Sequence, residues 1–321
     1  MLKGAISIDL DTLNTHLKGF GLKKEKYDFF DFSSGIDNFL KLLDEFNIKA
    51  TFFVVGKDLL HQQNIETLFK VVESGHEIAN HSMNHIQDFR LLDKKQKTEE
   101  IQKSEELIFE KINKRTVGFR TPGWNISDDV IDILKSRNYL YDSSIFPSFL
   151  NPVLKFLHFT SMRGRGKIDR TTLGKLKYSF APSTPYFPAR NSFLRKDNNS
   201  KFIEFPISVT LIFRFPFFAT FLLKTGSDIF KVSYQLMKLL QKPIIYEFHL
   251  FDFVDFEKLE FKNQIPKKSE QGVYIPQSIH TSFEKKWNLF HEAMSIMTKD
   301  YEFDTLENLA KHYLHKNDSE A

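Results

Sequence analysis

The run Ala50-Thr51-Phe52-Phe53-Val54-Val55, stopped by Gly56 and set between two amphipathic segments, constrains the fold more than any other feature of the chain. A continuous apolar run of this length suits a strand covered on both faces, as in a parallel sheet flanked by helices. Before it, Ser33 or Ser34 can cap a helix with Ile36, Phe39, Leu40, Leu43 and Phe46 at helical spacing, ended by Asn47. After it, Asn64 can cap a second helix with Ile65, Leu68, Phe69 and Val72 inward and Gly75 just past its end.

The alternation repeats along the chain. Residues 3–9 read as a buried strand and are followed by a polar loop to about Phe32. His76–Asn80 is strand-sized. Thr98–Asn113 reads as a charge-laced helix, Val117–Arg120 as a short strand, Asp128–Leu134 as a helix capped by Ser127, and Tyr139–Asp142 as a further strand. Strands alternating with helices argue for parallel βαβ units. Such folds place chemistry at the carboxyl ends of the strands. Asp9, Asp11, Arg120 and Asp142 fall at such ends, and His81 follows one.

Regularity is lost over about residues 143–201, which hold five prolines and the basic run Arg163-Gly164-Arg165-Gly166-Lys167. This reads as an irregular insertion within a single catalytic domain spanning 1–321, its basic run a solvated loop or a phosphate contact. Strand-like Phe202–Phe205, a helix near 228–240, a strand Pro243–His249, a polar loop at 257–277 and helices near 280–298 and 304–314 complete the chain, with Asp304 or Thr305 capping the last. The Phe-rich stretch Ile212–Phe218 reads as buried core; exposed, it would mark a membrane or partner surface.

The chain has no cysteine, which excludes disulfides, thiolate catalysis and Cys-ligated metals. Any metal must be held by His, Asp or Glu. The charge is nearly balanced, 45 basic against 41 acidic residues, and predicts no nucleic-acid partner. The start of the sequence has no signal-peptide profile, and no apolar run approaches the roughly 20 residues that span a bilayer, so a cytoplasmic location is expected.

His81 and His85 have the spacing that puts two imidazoles on one face of a helical turn. Two histidines at this spacing are as readily a core or surface pair as a metal site. In Ser7-Ile8-Asp9-Leu10-Asp11-Thr12, the carboxylates of Asp9 and Asp11 share one side of an extended backbone, as in a solvated turn or a site. Beside Asp11 the histidines would form a two-histidine, one-carboxylate set, which suits Zn²⁺ hydrolysis and also non-haem Fe(II) oxygenation. His76, His280, His291, His312 and His315 lack such partners and read as core or surface residues.

Asp9-Leu10-Asp11, His81-Ser82-Met83-Asn84-His85, Arg120-Thr121-Pro122-Gly123-Trp124, Asp142 and His249 follow the order and spacing of the motifs of the NodB-type polysaccharide deacetylases (carbohydrate esterase family 4-like), which the chain resembles over about residues 3–146 and 243–252. The resemblance implies an α/β fold, a distorted, incomplete (β/α) barrel, and metal-dependent hydrolysis of an acyl group on a sugar. It implies Asp11, His81 and His85 as metal ligands, Asp9 as general base held ionised by Arg120, and His249 as general acid oriented by Asp142. Pro122 and Trp124 would line the substrate groove, with the Trp124 N–H beside the oxyanion. Two positions depart from the usual pattern. Leu10 separates the two aspartates, a spacing that resembles lipid-linked-sugar deformylases and some peptidoglycan-deacetylase-like members, and Glu247 stands where an apolar residue is usual. The expectation is a cytoplasmic, Zn²⁺-dependent sugar deacetylase serving surface-polysaccharide or lipopolysaccharide assembly. Its substrate would be a sugar or glycan, lipid- or nucleotide-linked, met with peripheral membrane contact. The alternatives are a deformylase or ring-amide hydrolase on the same scaffold, or a non-catalytic glycan-binding relative.

Overall fold

The computed structural model describes residues 1–12, 15, 28–150, 176–258, 267 and 277–320. The Arg163–Lys167 run and most of the loops expected at 12–32 and 257–277 lie outside the described residues. The chain runs β1 (Leu2–Asp9), α1 (Asp28–Glu45), β2 (Thr51–Val54), α2 (Gln62–Glu73), β3 (Glu77–Asn80), α3 (Lys94–Ile112), β4 (Gly118–Phe119), α4 (Val130–Ser136) and β5 (Tyr141–Asp142). A two-stranded antiparallel pair, β6 (Pro188–Ala189) and β7 (Ser192–Lys196), precedes β8 (Ile203–Glu204). Helices α5 (Ala219–Thr225) and α6 (Ser227–Leu239), β9 (Ile244–His249), α7 (Phe283–Met297), β10 (Tyr301–Phe303) and α8 (Leu306–Glu320) follow.

Eight of these strands form one parallel sheet in the order β10-β1-β2-β3-β4-β5-β8, with β9 on the other edge of β1. Beyond β8 the ladder is replaced by one residue. Ser208 donates its N–H to Ile245 O (3.2 Å), and its Oγ accepts from Ile245 N (2.8 Å), so the curled sheet approaches closure at β9 without a strand pair there. The expected incomplete barrel is the observed architecture.

Strand alternation sorts side chains between two faces. Ile6 and Ile8 of β1, Phe52 and Val54 of β2 and Phe248 of β9 join the outer core beneath α1, α2 and α7. Ala5, Phe53, Ala79, Tyr141, Ile203 and Ile245 face the interior, whose amino end is filled by Leu306, Leu309 and Ala310 of α8. Gly118 is required on this inner face, because a Cβ there would lie 2.0 Å from Tyr141 Oη.

Several helix starts differ from the sequence expectation. Ser33 and Ser34 lie inside α1, and α2 begins before Asn64, whose amide instead bonds Asp58 O (2.9 Å). Helix α3 begins at a capping box of Asp93 and Gln96. Thr305 caps α8 by accepting Asn308 N–H (3.2 Å). The Phe-rich stretch divides: Phe217 is buried, whereas Ile212, Phe213 and Phe215 are exposed. No helix of the described residues is long and apolar enough to cross a membrane.

Candidate active site

The inward positions of β1 and β9 come into register at the carboxyl end of the sheet. Ser7 stands opposite Glu247 and Asp9 opposite His249. Asp11 lies just past the end of β1, buried. His81 and His85 follow β3 in a loop and not on a helical turn: Ser82 (φ 64°) and His85 (φ 53°) are both left-handed. Asn80 Oδ1 accepts Ser82 N–H (2.9 Å) and Ser82 Oγ accepts His85 N–H (3.2 Å), while Glu100 accepts from both nitrogens of Asn84 (2.9 and 2.6 Å). Side-chain acceptors thus replace the backbone bonds of a helix and fix the loop.

Asp11 Oδ1 lies 3.2 Å from His81 Nε2 and 2.8 Å from His85 Nε2. His81 Nδ1 is 2.7 Å from Arg120 O. A carbonyl can only accept, so Nδ1 carries a proton, and Nε2 faces the carboxylate, where it holds a second proton or a cation. Burial would lower the His81 imidazole, but the charges of Asp9 and Asp11 prevail and raise it. Acceptors converging in a buried space are compatible only with protons or a cation between them. Burial would raise the Asp11 carboxyl, but the charges and hydrogen bonds of His85 and His81 outweigh it and hold it well below the usual carboxylate range. The donor chemistry, two imidazoles and one carboxylate with the second ring nitrogen of His81 anchored, fits a divalent metal.

Arg120 organises the neighbouring half of the site. Fully buried, it donates to Asp9 Oδ1 (2.6 Å), Ser7 Oγ (3.0 Å), Ser143 Oγ (2.8 Å), Ser143 O (2.8 Å) and, longer, Glu247 Oε1 (3.4 Å). Its guanidinium also lies over the Phe53 ring, 4.2 Å from the centroid. Asp9 Oδ2 is 3.7 Å from His81 Nε2, so the Arg-held carboxylate abuts the ligand set.

His249 ends β9 with Asp9 and Glu247 within reach. Its carboxylate neighbour on the next turn is Asp252, which accepts the His249 N–H (2.9 Å) and lies 3.9 Å from Nδ1. Burial would lower the imidazole; the hydrogen bond with Asp252 and the charges of Glu247, Asp252 and Asp9 prevail and raise it to about 10. Asp142 does not have the expected position beside His249. On β5, Tyr141 and Ser143 point inward, so Asp142 points to the opposite face. There it accepts from Ser144 N and Oγ (3.0 and 2.7 Å) and faces Glu204, burial raising it to about 6 and Glu204 well above the usual range. That pair anchors the chain after β5, since Glu204 also accepts Ile145 N–H (3.0 Å).

Trp124 walls the site. Its Nε1 donates to Glu247 Oε1 (2.9 Å), and its ring packs on Phe146 (centroids 4.7 Å), Phe218 (5.7 Å) and His249 (6.2 Å). Pro122 is buried at the head of the turn, where Gly123 (φ 57°) and Trp124 (φ 52°) are both left-handed, a strained arrangement held by its surroundings. The Trp124 N–H donates to Thr121 O (3.3 Å), a bond that would have to be given up for the expected oxyanion role. Glu247 was not foreseen as a site residue, although counting back by two from His249 puts it inward; burial raises it to about 7.

The sequence profile described as polysaccharide deacetylase matches residues 26–141, a segment that contributes both histidines, Arg120 and Trp124. Over that segment the chain is similar to this family. The chain is also similar to the peptidoglycan deacetylase of Helicobacter pylori, 26% identical over 152 residues (46% of this chain, 51% of that protein). The peptidoglycan-N-acetylglucosamine deacetylase of Bacillus cereus is 35% identical over 100 residues (31% and 45%). The match thus spans about half the length of these curated relatives. A crystal structure from Mycobacterium smegmatis, described as a polysaccharide deacetylase, has a similar fold over 97% of this chain and 89% of that one, with a TM-score of 0.62 at 15% identity.

Proposed function

We propose that this protein is a metal-dependent hydrolase that removes an N-acetyl or related acyl group from a sugar. The observation that carries the reading is the meeting, in one buried cluster, of the Asp11-His81-His85 donor set with an Arg-held carboxylate and a histidine across the register from it. The match of residues 26–141 to the polysaccharide deacetylase profile supports the same chemistry. A divalent cation, Zn²⁺ by the donor set, would supply Lewis acidity toward the acyl oxygen and acidify the attacking water.

The chain's own residues supply the rest. Asp9, fixed by Arg120 and next to the ligand set, takes the proton from the attacking water. His249 keeps its proton at neutral pH and delivers it to the leaving nitrogen, with Asp252 fixing its backbone and stabilising its cation. Arg120 neutralises the excess of carboxylate around Asp9 and Glu247. Trp124 and Pro122 form the wall against which the sugar lies. The named relatives support a peptidoglycan-like amino sugar. We place the substrate in surface-polysaccharide or lipopolysaccharide assembly, lipid- or nucleotide-linked, and the enzyme in the cytoplasm with peripheral membrane contact.

The test is metal analysis together with an acetate- and formate-release screen on acylated sugars, comparing wild type with Asp9→Asn. The variant is expected to keep its metal and lose about 10²- to 10⁴-fold in rate. Full activity in the metal-loaded variant would remove Asp9 as the base. Formate in place of acetate would identify a deformylase.

A further inference from the structure

Eighteen large apolar side chains are exposed among the described residues, and nine of them fall within residues 209–242. Four lie on one loop: Leu211, Ile212, Phe213 and Phe215, exposed by 40% or more. That loop is a defined projection. Val209 and Pro216 form an antiparallel bridge at its base, and Thr210 and Phe215 exchange two further bonds (2.9 and 3.0 Å). Arg214 anchors it to the body by donating to Ser179 O and Ala181 O (both 2.7 Å).

The other five are Ile229, Val232, Leu236, Leu239 and Leu240, at the spacing of one helical stripe. Helix α6 already buries a separate apolar stripe, Phe230, Tyr234 and Met237. Its second stripe therefore has no partner among the described residues. The two exposed groups adjoin, because Lys242, just past α6, donates to Val209 O (3.3 Å) at the base of the loop.

Charge is distributed with the same bias. Residues 209–242 hold five basic residues, Arg214, Lys224, Lys231, Lys238 and Lys242, against one acid, Asp228. The remainder of the chain has 40 of each sign, so the net charge of +4 resides in this segment. Glu292 and Asp300 pair with Lys231 and Lys238, while Lys224 stands exposed. An unpartnered apolar stripe flanked by lysines is the composition of a helix that lies in a lipid interface. The position is equally specific: Val209 packs in one cluster with Phe146, Trp124 and Phe218, the wall of the active site.

We infer that the 210–215 loop and the outer stripe of α6 form a face that docks on an anionic bilayer and holds the Trp124 side of the site against the lipid surface. The use of that position, acting on a sugar carried by a lipid, rests on the proposed function; the docking itself does not.

The test is flotation of the full chain with phosphatidylcholine vesicles and with vesicles containing about a third phosphatidylglycerol. Wild type is expected to float with the anionic vesicles, less as salt is raised, and the triple variant Phe213→Ser, Val232→Ser, Leu239→Ser to bind at least about tenfold more weakly. Lys224→Glu should weaken binding to a smaller degree. The triple variant should melt like wild type and hydrolyse a soluble acyl-sugar at the wild-type rate. Absence of flotation at low salt, or flotation unaffected by the triple variant, overturns the inference. So does light scattering that shows a dimer dissolved by these changes, which would assign the face to a second copy of the chain. Flotation by a wild type that hydrolyses no acyl-sugar would leave the face standing and remove the functional reading.

Discussion

The two ends of the one sheet bury polar groups in opposite ways. At the amino end, the carboxyl of Glu77 accepts from Thr51 Oγ1 (2.6 Å), Tyr141 Oη (2.7 Å) and Glu307 N (2.9 Å), and Thr51 Oγ1 in turn accepts from Leu306 N (2.8 Å). Donors and acceptors match, and the network fastens α8 to β2, β3 and β5. At the carboxyl end, Asp11, His81 and His85 turn acceptor atoms toward one another, and a fully engaged Arg120 stands beside them. A polar cluster that closes on itself is structural. One that converges acceptors calls for a ligand from outside.

The comparison breaks most completely when the acceptors are removed. His85→Ala is expected to lose its metal and at least about 10³-fold of its hydrolytic rate. In metal-free buffer its melting temperature should fall, because the buried Asp11 carboxyl loses a partner that holds it ionised. Elemental analysis and calorimetry read the two effects, and a variant that keeps metal would refute the ligand assignment. Arg120→Gln acts next. It leaves Asp9 and Glu247 buried without their cation, at an expected cost of about 3–5 kcal/mol in urea unfolding.

Substitution of the two carboxylates near β5 and β9 sharpens the assignment of His249. A general acid fails as pH rises through its pKa, which stands at about 10 with Asp252 beside it. Asp252→Asn should therefore bring the alkaline loss of activity about a pH unit or more lower, whereas Asp142→Asn should leave it in place. Equal shifts would restore the role expected of Asp142.

The smallest effect on catalysis belongs to the closed network. Burial raises Glu77 from 4.5 to about 7, so between those values the folded chain holds a proton that the unfolded chain has released. Its stabilisation is complete below about pH 4.5 and declines as pH rises to about 7, by on the order of 3 kcal/mol. Glu77→Gln should remove that slope from thermal unfolding measured across the window, while hydrolysis changes by less than about twofold.

What the sequence made legible followed from local periodicity. The buried run of β2, the inward row of β1 and the placement of Asp9, Asp11 and Arg120 at strand ends needed only the alternation of side chains. The same rule, applied to β5, places Ser143 and not Asp142 toward Arg120, and applied to β9 it includes Glu247. The family pattern points to Asp142 and passes over Glu247, whereas strand parity turns the first outward and the second inward. Other features had no local signal. The three-residue β10 pairs Leu2 with Tyr301, and the loop that joins His81 to His85 depends on Asn80, Ser82 and the distant Glu100.

Arg120 serves the two halves of the site through different parts of itself. Its carbonyl fixes His81, and its guanidinium fixes Asp9. The carbonyl is common to every amino acid and the guanidinium to this one. A substitution at position 120 would therefore keep the backbone contact that orients His81 and give up the hold on Asp9, along with the cation that Asp9 and Glu247 share. The proposed chemistry could thus be lost in one step while the orientation of His81 is kept.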